Sequence, residues 1–156
     1  MKTYYYKKQL NGRGRFGGTE LELVYTTETS EIVDKCKWRD FITEKSSVKE
    51  TPPILNSYKK YVLEALNFII QNHHLPKPVK LILHDIKILL VDTNPSHVLA
   101  STIIGSLDLL KIKLDKDSMK MIDEFIIINE NINFPNFENL ILALFRENTE
   151  SLNHHP

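Results

Sequence analysis

Lys8-Gln9-Leu10-Asn11-Gly12-Arg13-Gly14-Arg15-Phe16-Gly17-Gly18 is the stretch on which the fold reading turns. It holds four of the chain's five glycines. Such clustering marks one special loop, because glycine reaches backbone conformations closed to other residues. Before it, Thr3 to Gln9 is rich in tyrosine and reads as a strand. After it, Glu20 to Tyr25 alternates, with Leu21, Leu23 and Tyr25 on one face and Glu20 and Glu22 on the other, the pattern of a half-buried strand. Asn11 to Gly18 is therefore expected to be a long hairpin loop.

Gly12 to Gly17 matches G-x-G-x-x-G. A dinucleotide fold needs that motif to open a helix after a strand, and here a strand follows it. A protein-kinase glycine loop does lie between strands, but the chain has neither an H-R-D catalytic loop nor D-F-G, and 156 residues cannot hold two lobes. No nucleotide or other cofactor is expected.

Outward from the loop, Thr26 to Val33 is polar and turn-like, and Cys36 to Ile42 reads as a third strand with Trp38 on its inner face. Glu44 to Pro53 has loop composition. Tyr58, Tyr61, Val62, Ala65, Leu66, Ile69 and Ile70 recur at the spacing of an amphipathic helix, predicted over 57 to 73 and closing near His73-His74. Val79 to Leu83 and Ile86 to Val91 are rich in β-formers, broken by His84-Asp85. Asn94-Pro95 is an N-cap followed by proline at the first helical position, predicting a helix over 95 to 111. Gly105 inside it is expected to allow close approach to the sheet. Two further helices are expected, over Ser118 to Ile128 and, started by Pro135, over Phe137 to Phe145 with a stripe of Phe137, Leu140, Ile141 and Leu144. The fold class is α+β: a two-layer sandwich of a four-stranded sheet with two helices on one face over residues 1–112, and an acidic helical C-terminal extension over 113–156.

Hydrophobic residues make up 42% and charged residues 26%, ordinary for a globular chain. Twenty cations balance twenty acids, which excludes a uniformly basic nucleic-acid coat. The balance hides an asymmetry. Residues 1 to 18 hold Lys2, Lys7, Lys8, Arg13 and Arg15 and no acid, while residues 114 to 156 hold eight acids against Lys116, Lys120 and Arg146. Cys36 is the lone cysteine, so no intrachain disulfide forms, and a cytoplasmic location is expected. The opening MKTYYYKKQL lacks the apolar run of a signal peptide, and no apolar run is long enough for a membrane span.

Four motifs in order carry a family resemblance. Lys8 to Gly17 resembles the K-Q-x-G-G-R-G-Q-F-G segment that begins domain IV of translation elongation factor G, with Arg15 replacing the glutamine and Asn11 the first glycine. Val79 to Asp85, VKLILHD, is similar to that family's V-K-V-T-L-Y-D strand. Val91-Asp92 falls at its V-D, and Ile103-Ile104-Gly105-Ser106 is similar to its I-A-G-S. The resemblance spans about residues 3 to 110. It implies a left-handed β-α-β crossover, against the usual hand. It also departs from the family. Leu89 stands where the family has a histidine, about three extra residues fall between Asp92 and Gly105, and Ile86 to Leu90 is apolar where the family's tip is polar. No G-x-x-x-x-G-K-[ST] is present, so GTP hydrolysis is excluded.

The resemblance implies a non-catalytic module that binds the ribosome or structured RNA through Lys8, Gln9, Asn11, Gly12, Arg13, Gly14, Arg15 and Phe16, with Lys87 nearby. The chemistry fits: glycine leaves backbone N–H groups open to phosphate, and arginine grips phosphate with two donors. A solvated hairpin with Phe16 in the core is the plain alternative. The other functional alternative is a protein–protein module, such as an immunity, adaptor or regulatory protein, favoured by zero net charge, the apolar Ile86 to Leu90 strip and the acidic tail. The tail could lie over Arg13 and Arg15 as an electrostatic cover, or simply complete the core. No enzymatic constellation stands out. His73 and His74 are adjacent and diverge on a helix, where they favour its C-terminal dipole. His84-Asp85 is a candidate acid–base pair, but neighbours on a strand face opposite ways. His97 has no evident partner. With one cysteine and no H-x-x-x-H, no metal is expected. Cys36 between two lysines is expected to be a small buried residue rather than a reactive thiolate.

Overall fold

The computed structural model describes residues 1–10, 12–38, 53–89 and 91–152. Strand β1 (Lys2–Leu10) forms an antiparallel hairpin with β2 (Arg13–Tyr25). Strand β3 (Glu31–Asp34) follows, then helix α1 (Pro53–Asn72), strand β4 (Val79–Lys87), and helices α2 (Pro95–Leu109), α3 (Lys116–Ile128) and α4 (Glu138–Leu152). The sheet order is β1-β2-β4-β3, with β4 antiparallel to β2 and parallel to β3. It is a mixed, open, four-stranded sheet in an α+β two-layer arrangement, as the hydropathy pattern led us to expect.

Cross-strand pairing assigns the faces, since partners directly opposite share a face. Tyr4 opposite Thr19 and Tyr6 opposite Gly17 face the helices. Tyr5 opposite Gly18 and Lys7 opposite Phe16 face the other way. A β-carbon on Gly105 would lie 2.6 Å from the Tyr4 ring, so glycine there does set how closely α2 sits on the sheet.

Two apolar clusters meet between the layers. One joins Tyr4, Leu21, Leu81, Leu83 and Ile86 of the sheet to Leu55, Val62 and Leu66 of α1. The other joins Tyr6, Ala65, Ile69, Leu99, Ile103 and Leu107 to Ile122 and Ile126 of α3, to Phe137 and to Leu140, Ile141 and Leu144 of α4. The predicted C-terminal stripe thus lies inside a cluster shared with α1 and α2.

Several expectations are corrected. The glycine stretch is not a long loop: β2 begins at Arg13, and the turn at Gly12 is tight, with φ +73°. The third strand is Glu31–Asp34, which begins inside the segment read as turn-like and ends one residue past it, whereas Cys36 to Trp38 is not strand. Trp38 is buried all the same, at φ +55°. The rest of that expected strand, residues 39–42, lies outside the described residues, as do residues 44–52 of the expected loop and the final residues 153–156. The break at His84-Asp85 is a β-bulge within one continuous β4, because Glu20 pairs with Asp85 but Leu21 with Leu83. The last helix starts at Glu138 rather than at Pro135, whose carbonyl accepts a hydrogen bond from the Tyr61 hydroxyl.

Candidate interface at the hairpin tip

Four segments converge where the β1–β2 hairpin ends: the hairpin itself, Leu89 and Val91 to Asn94 of the β4–α2 connection, the first turn of α2, and Glu130 and Asn131 after α3. Glycine makes the convergence possible. A β-carbon on Gly17 would lie 2.4 Å from the carbonyl carbon of His97, so only glycine lets the start of α2 rest on β2. The Phe16 N–H donates to the Asp92 carbonyl at 2.9 Å and fastens the connection beside β2, beyond the end of β4.

Helix α2 is capped locally. The Asn94 side chain accepts from the His97 N–H at 3.2 Å, and His97 Nδ1 accepts from the Asn94 N–H at 3.2 Å. The reciprocal pair is a capping box in which histidine takes the usual place of glutamate. His97 therefore has a partner, contrary to expectation. Its ring stacks on Tyr6 with centroids 6.2 Å apart, and burial holds its pKa below the ordinary histidine value.

The sequence-selected residues divide into two groups. Arg15 is 3% exposed and makes an ion pair with Glu130 at 2.8 Å. Lys8 makes an ion pair with Asp123 of α3, which also accepts from the Tyr6 hydroxyl at 2.9 Å. Lys87 lies 3.1 Å from the buried Asp85 carboxylate. These three cations are engaged within the fold. Arg13 and Gln9 are exposed, Gly12 makes the turn, Gly14 sits beside the Asp92 carboxylate, and Phe16 is half-buried. Among the described residues, Arg13 and the exposed Lys7 form no ion pair. Asn11 lies outside the described residues. A cleft of about 450 Å³ lies on one side of the tip, lined by Arg13, Asp92, Asn94, His97 and Glu130. A second, of about 430 Å³, is lined by Lys7, Gln9, Gly14, Phe16, Leu89 and Asp92.

Asp123 and Glu130 went unselected because each lies far along the chain from the cation it meets, and Asp92 because its carboxylate reaches Gly14 only through the fold. The excess of acid after residue 114 was the available signal. The apolar strip does not form one exposed band: Ile86 is buried, Leu89 is half exposed and Leu90 lies outside the described residues. Val91 beyond it is 94% exposed. Elsewhere, His84 approaches Glu22 at 2.7 Å rather than pairing with Asp85, and its hydrogen bond lowers the Glu22 pKa. Burial pushes the Cys36 thiol up to about 11, which keeps it protonated and unreactive at neutral pH. Among the described residues, no group of three or more His, Cys, Asp or Glu side chains is arranged to hold a metal ion.

No protein-family model matches the chain, and no curated protein matches it. Among solved structures, the crystal structure of a Thermus thermophilus protein is similar over 70% of this chain, at 18% identity and a TM-score of 0.45. This chain covers 15% of that protein's length. A likeness that loose adds nothing to the geometry above. No helix among the described residues is long and apolar enough to cross a membrane.

Proposed function

We propose that the protein is a non-catalytic, cytoplasmic module that binds the ribosome or structured RNA with its hairpin tip. The observation that carries the reading is the pair of exposed cations, Lys7 and Arg13, at the end of a hairpin with no ion-pair partner among the described residues. The order of elements, hairpin, third strand, helix, strand and helix, also runs parallel to the order of motifs that resemble domain IV of elongation factor G. The footprint is smaller than the sequence suggests. Lys8 and Arg15 hold acids of the C-terminal part, which leaves Lys7, Arg13 and the backbone around Gly12 to meet phosphate. Two such cations give a modest salt dependence, with log affinity falling by about 0.7–0.9 per neutralised phosphate for each decade of salt.

A protein partner is the second reading. It is favoured by Val91 and Leu89, exposed beside the same tip, and by the engagement of Lys8, Arg15 and Lys87 within the fold. One experiment separates the two: capture of partners from a lysate by the full chain, with and without nuclease. Nuclease-sensitive recovery of ribosomes or RNA, lost in the Lys7→Ala/Arg13→Ala variant, supports the first reading. A stoichiometric protein complex that withstands nuclease and that same substitution overturns it in favour of the second.

A further inference from the structure

The face of the sheet away from the helices carries an aromatic pair of which the glycine-loop reading held only Phe16. Tyr5 is 52% exposed, and its ring lies 5.7 Å from that of Phe16, the planes 41° apart. Tyr5 is directly opposite Gly18, and Phe16 directly opposite Lys7, so all four share this face. A β-carbon on Gly18 would lie 2.9 Å from the Tyr5 ring, so glycine there is what lets the ring lie down across the strand. The cleft of about 430 Å³ adjoins Phe16 and brings in Lys7, Gln9, Gly14, Leu89 and Asp92. Lys7 lies beside Phe16 on this face, and Arg13 lies at the hairpin end, lining the cleft on the other side of the tip.

From this juxtaposition we infer that the open face of β1 and β2 is a stacking platform for the unpaired bases of a single-stranded RNA segment. The inference rests on the proposed RNA binding and names the form of RNA that the site takes. Flat π faces accept any base, so a Tyr5–Phe16 pair supplies affinity without sequence selection. Duplex RNA hides its base faces and offers none for stacking. A cation beside the rings complements the backbone that must run past stacked bases. Lys7, directly opposite Phe16, supplies that charge, and Arg13 at the hairpin end meets the strand as it leaves the platform. The side chain of Gln9 and the carboxylate of Asp92 line the cleft beside Phe16, where a base edge would sit. Asp92 repels phosphate, so the backbone runs on the Lys7 side. Toward β4 the same face carries Lys87, directly opposite Gly18 and 3.1 Å from the Asp85 carboxylate. Beyond it Glu20 and Asp85 are buried and Glu22 meets His84, so the exposed platform lies on β1 and the first half of β2.

The test uses the full chain and two labelled RNAs of matched composition, an unstructured oligonucleotide and a perfect duplex, read by fluorescence anisotropy at several salt concentrations. The unstructured strand should bind about tenfold more tightly than the duplex. Tyr5→Leu, which keeps apolar bulk and removes the π face, should weaken the strand by about tenfold and leave the duplex unchanged, while Tyr5→Phe should bind like the parent. Tyr5 is exposed, so these variants fold, and matching thermal melts check it. Arg13→Ala should weaken both RNAs and make the salt dependence shallower. Equal binding of strand and duplex, lost in Arg13→Ala and untouched by Tyr5→Leu, overturns the platform and leaves RNA binding by phosphate contact standing. Absence of binding to either RNA, with a protein partner recovered instead, overturns both readings.

Discussion

Gly17 and Gly12 show how one residue type serves two physical ends in the same hairpin. At Gly17 the obstacle to a side chain is the backbone of α2, which cannot yield without moving the helix. Gly17→Ala should lower stability by at least the ~1–3 kcal/mol typical of overpacking, read from urea unfolding. At Gly12 there is open space, but φ is +73°, so Gly12→Ala should cost ~1–2 kcal/mol through backbone strain alone. A Gly12 variant more damaging than the Gly17 one would refute the close-approach role of Gly17. His97 adds a pH dependence. Burial lowers its pKa and that of His73 relative to the unfolded chain. The unfolded state therefore binds protons first, and stability is complete above about pH 6.5 and declines as pH falls below it. Protonation exchanges the capping bond from the Asn94 N–H for a donation from Nδ1–H to the Asp92 carbonyl, 3.0 Å away, which offsets part of the cost of burying the charged ring. The urea midpoint should fall between about pH 7.5 and pH 5, and His73→Gln/His97→Gln should flatten that decline. An unchanged slope in the double variant would assign it elsewhere. The depressed carboxyl groups of Glu22, Asp108 and Asp115 act in a lower window, from their unfolded values near pH 4 downward.

Element ends decide how firmly α2 is placed. Asn94 satisfies a free N–H at one end, and Asn94→Ala should cost about 1 kcal/mol, visible as a lower thermal midpoint. At the other end Lys111 follows the C-cap with φ +63°, and the Ile112 N–H donates to the Leu107 carbonyl at 2.9 Å. A left-handed residue in that position is usually glycine. Lys111→Gly should therefore raise stability by about 1 kcal/mol, and a loss would show that the lysine side chain has a larger role. The ion pairs that tie α2, α3 and the turn after α3 to β1 and β2 differ in weight. Lys2–Asp108 is exposed on both sides and belongs to the class of surface pairs contributing ~0–1 kcal/mol. Arg15 is buried, so Glu130→Gln, which withdraws an acid from it, should cost more than Lys2→Ala; the two variants melted side by side decide this.

At the scale of the whole molecule, α3 and α4 are part of what holds the sandwich together. They and the residue before α4 bury Ile122, Ile126, Phe137, Leu140, Ile141 and Leu144 against α1 and α2. At ~1.5–3 kcal/mol for each large apolar side chain, that burial rivals the ~5–15 kcal/mol by which ordinary domains are stable. Truncation after Lys113 should remove cooperative unfolding and expose a surface that binds a hydrophobic dye. A truncated chain that melts cooperatively at the parent temperature would contradict this. The stripe of the tail enters the core. Of the two arginines that an electrostatic cover was expected to reach, Arg15 meets Glu130 and Arg13 forms no ion pair among the described residues, while Asp123 meets Lys8.

The elements with a strong hydropathy period were legible in the amino-acid order. The helix about Tyr58 to Ile70, the Asn94-Pro95 start, the close approach at Gly105 and the stripe from Phe137 to Leu144 all depend on neighbours within a few turns. The extent of β2 was not legible, because glycines in sequence look alike whether they turn the chain or clear space for a packed neighbour. Gly12 does the first and Gly17 the second, and only the position of His97 tells them apart. The short strand Glu31–Asp34 is polar at both ends, and its pairing with β4, not its own propensity, makes it a strand. For the candidate interface, the sequence determined that five cations and four glycines crowd the first eighteen residues. Which cations meet solvent was settled by tertiary structure alone. Charge pairing acts through space, and folding brings Asp123 and Glu130, more than a hundred positions away, onto Lys8 and Arg15 while leaving Lys7 and Arg13 outward.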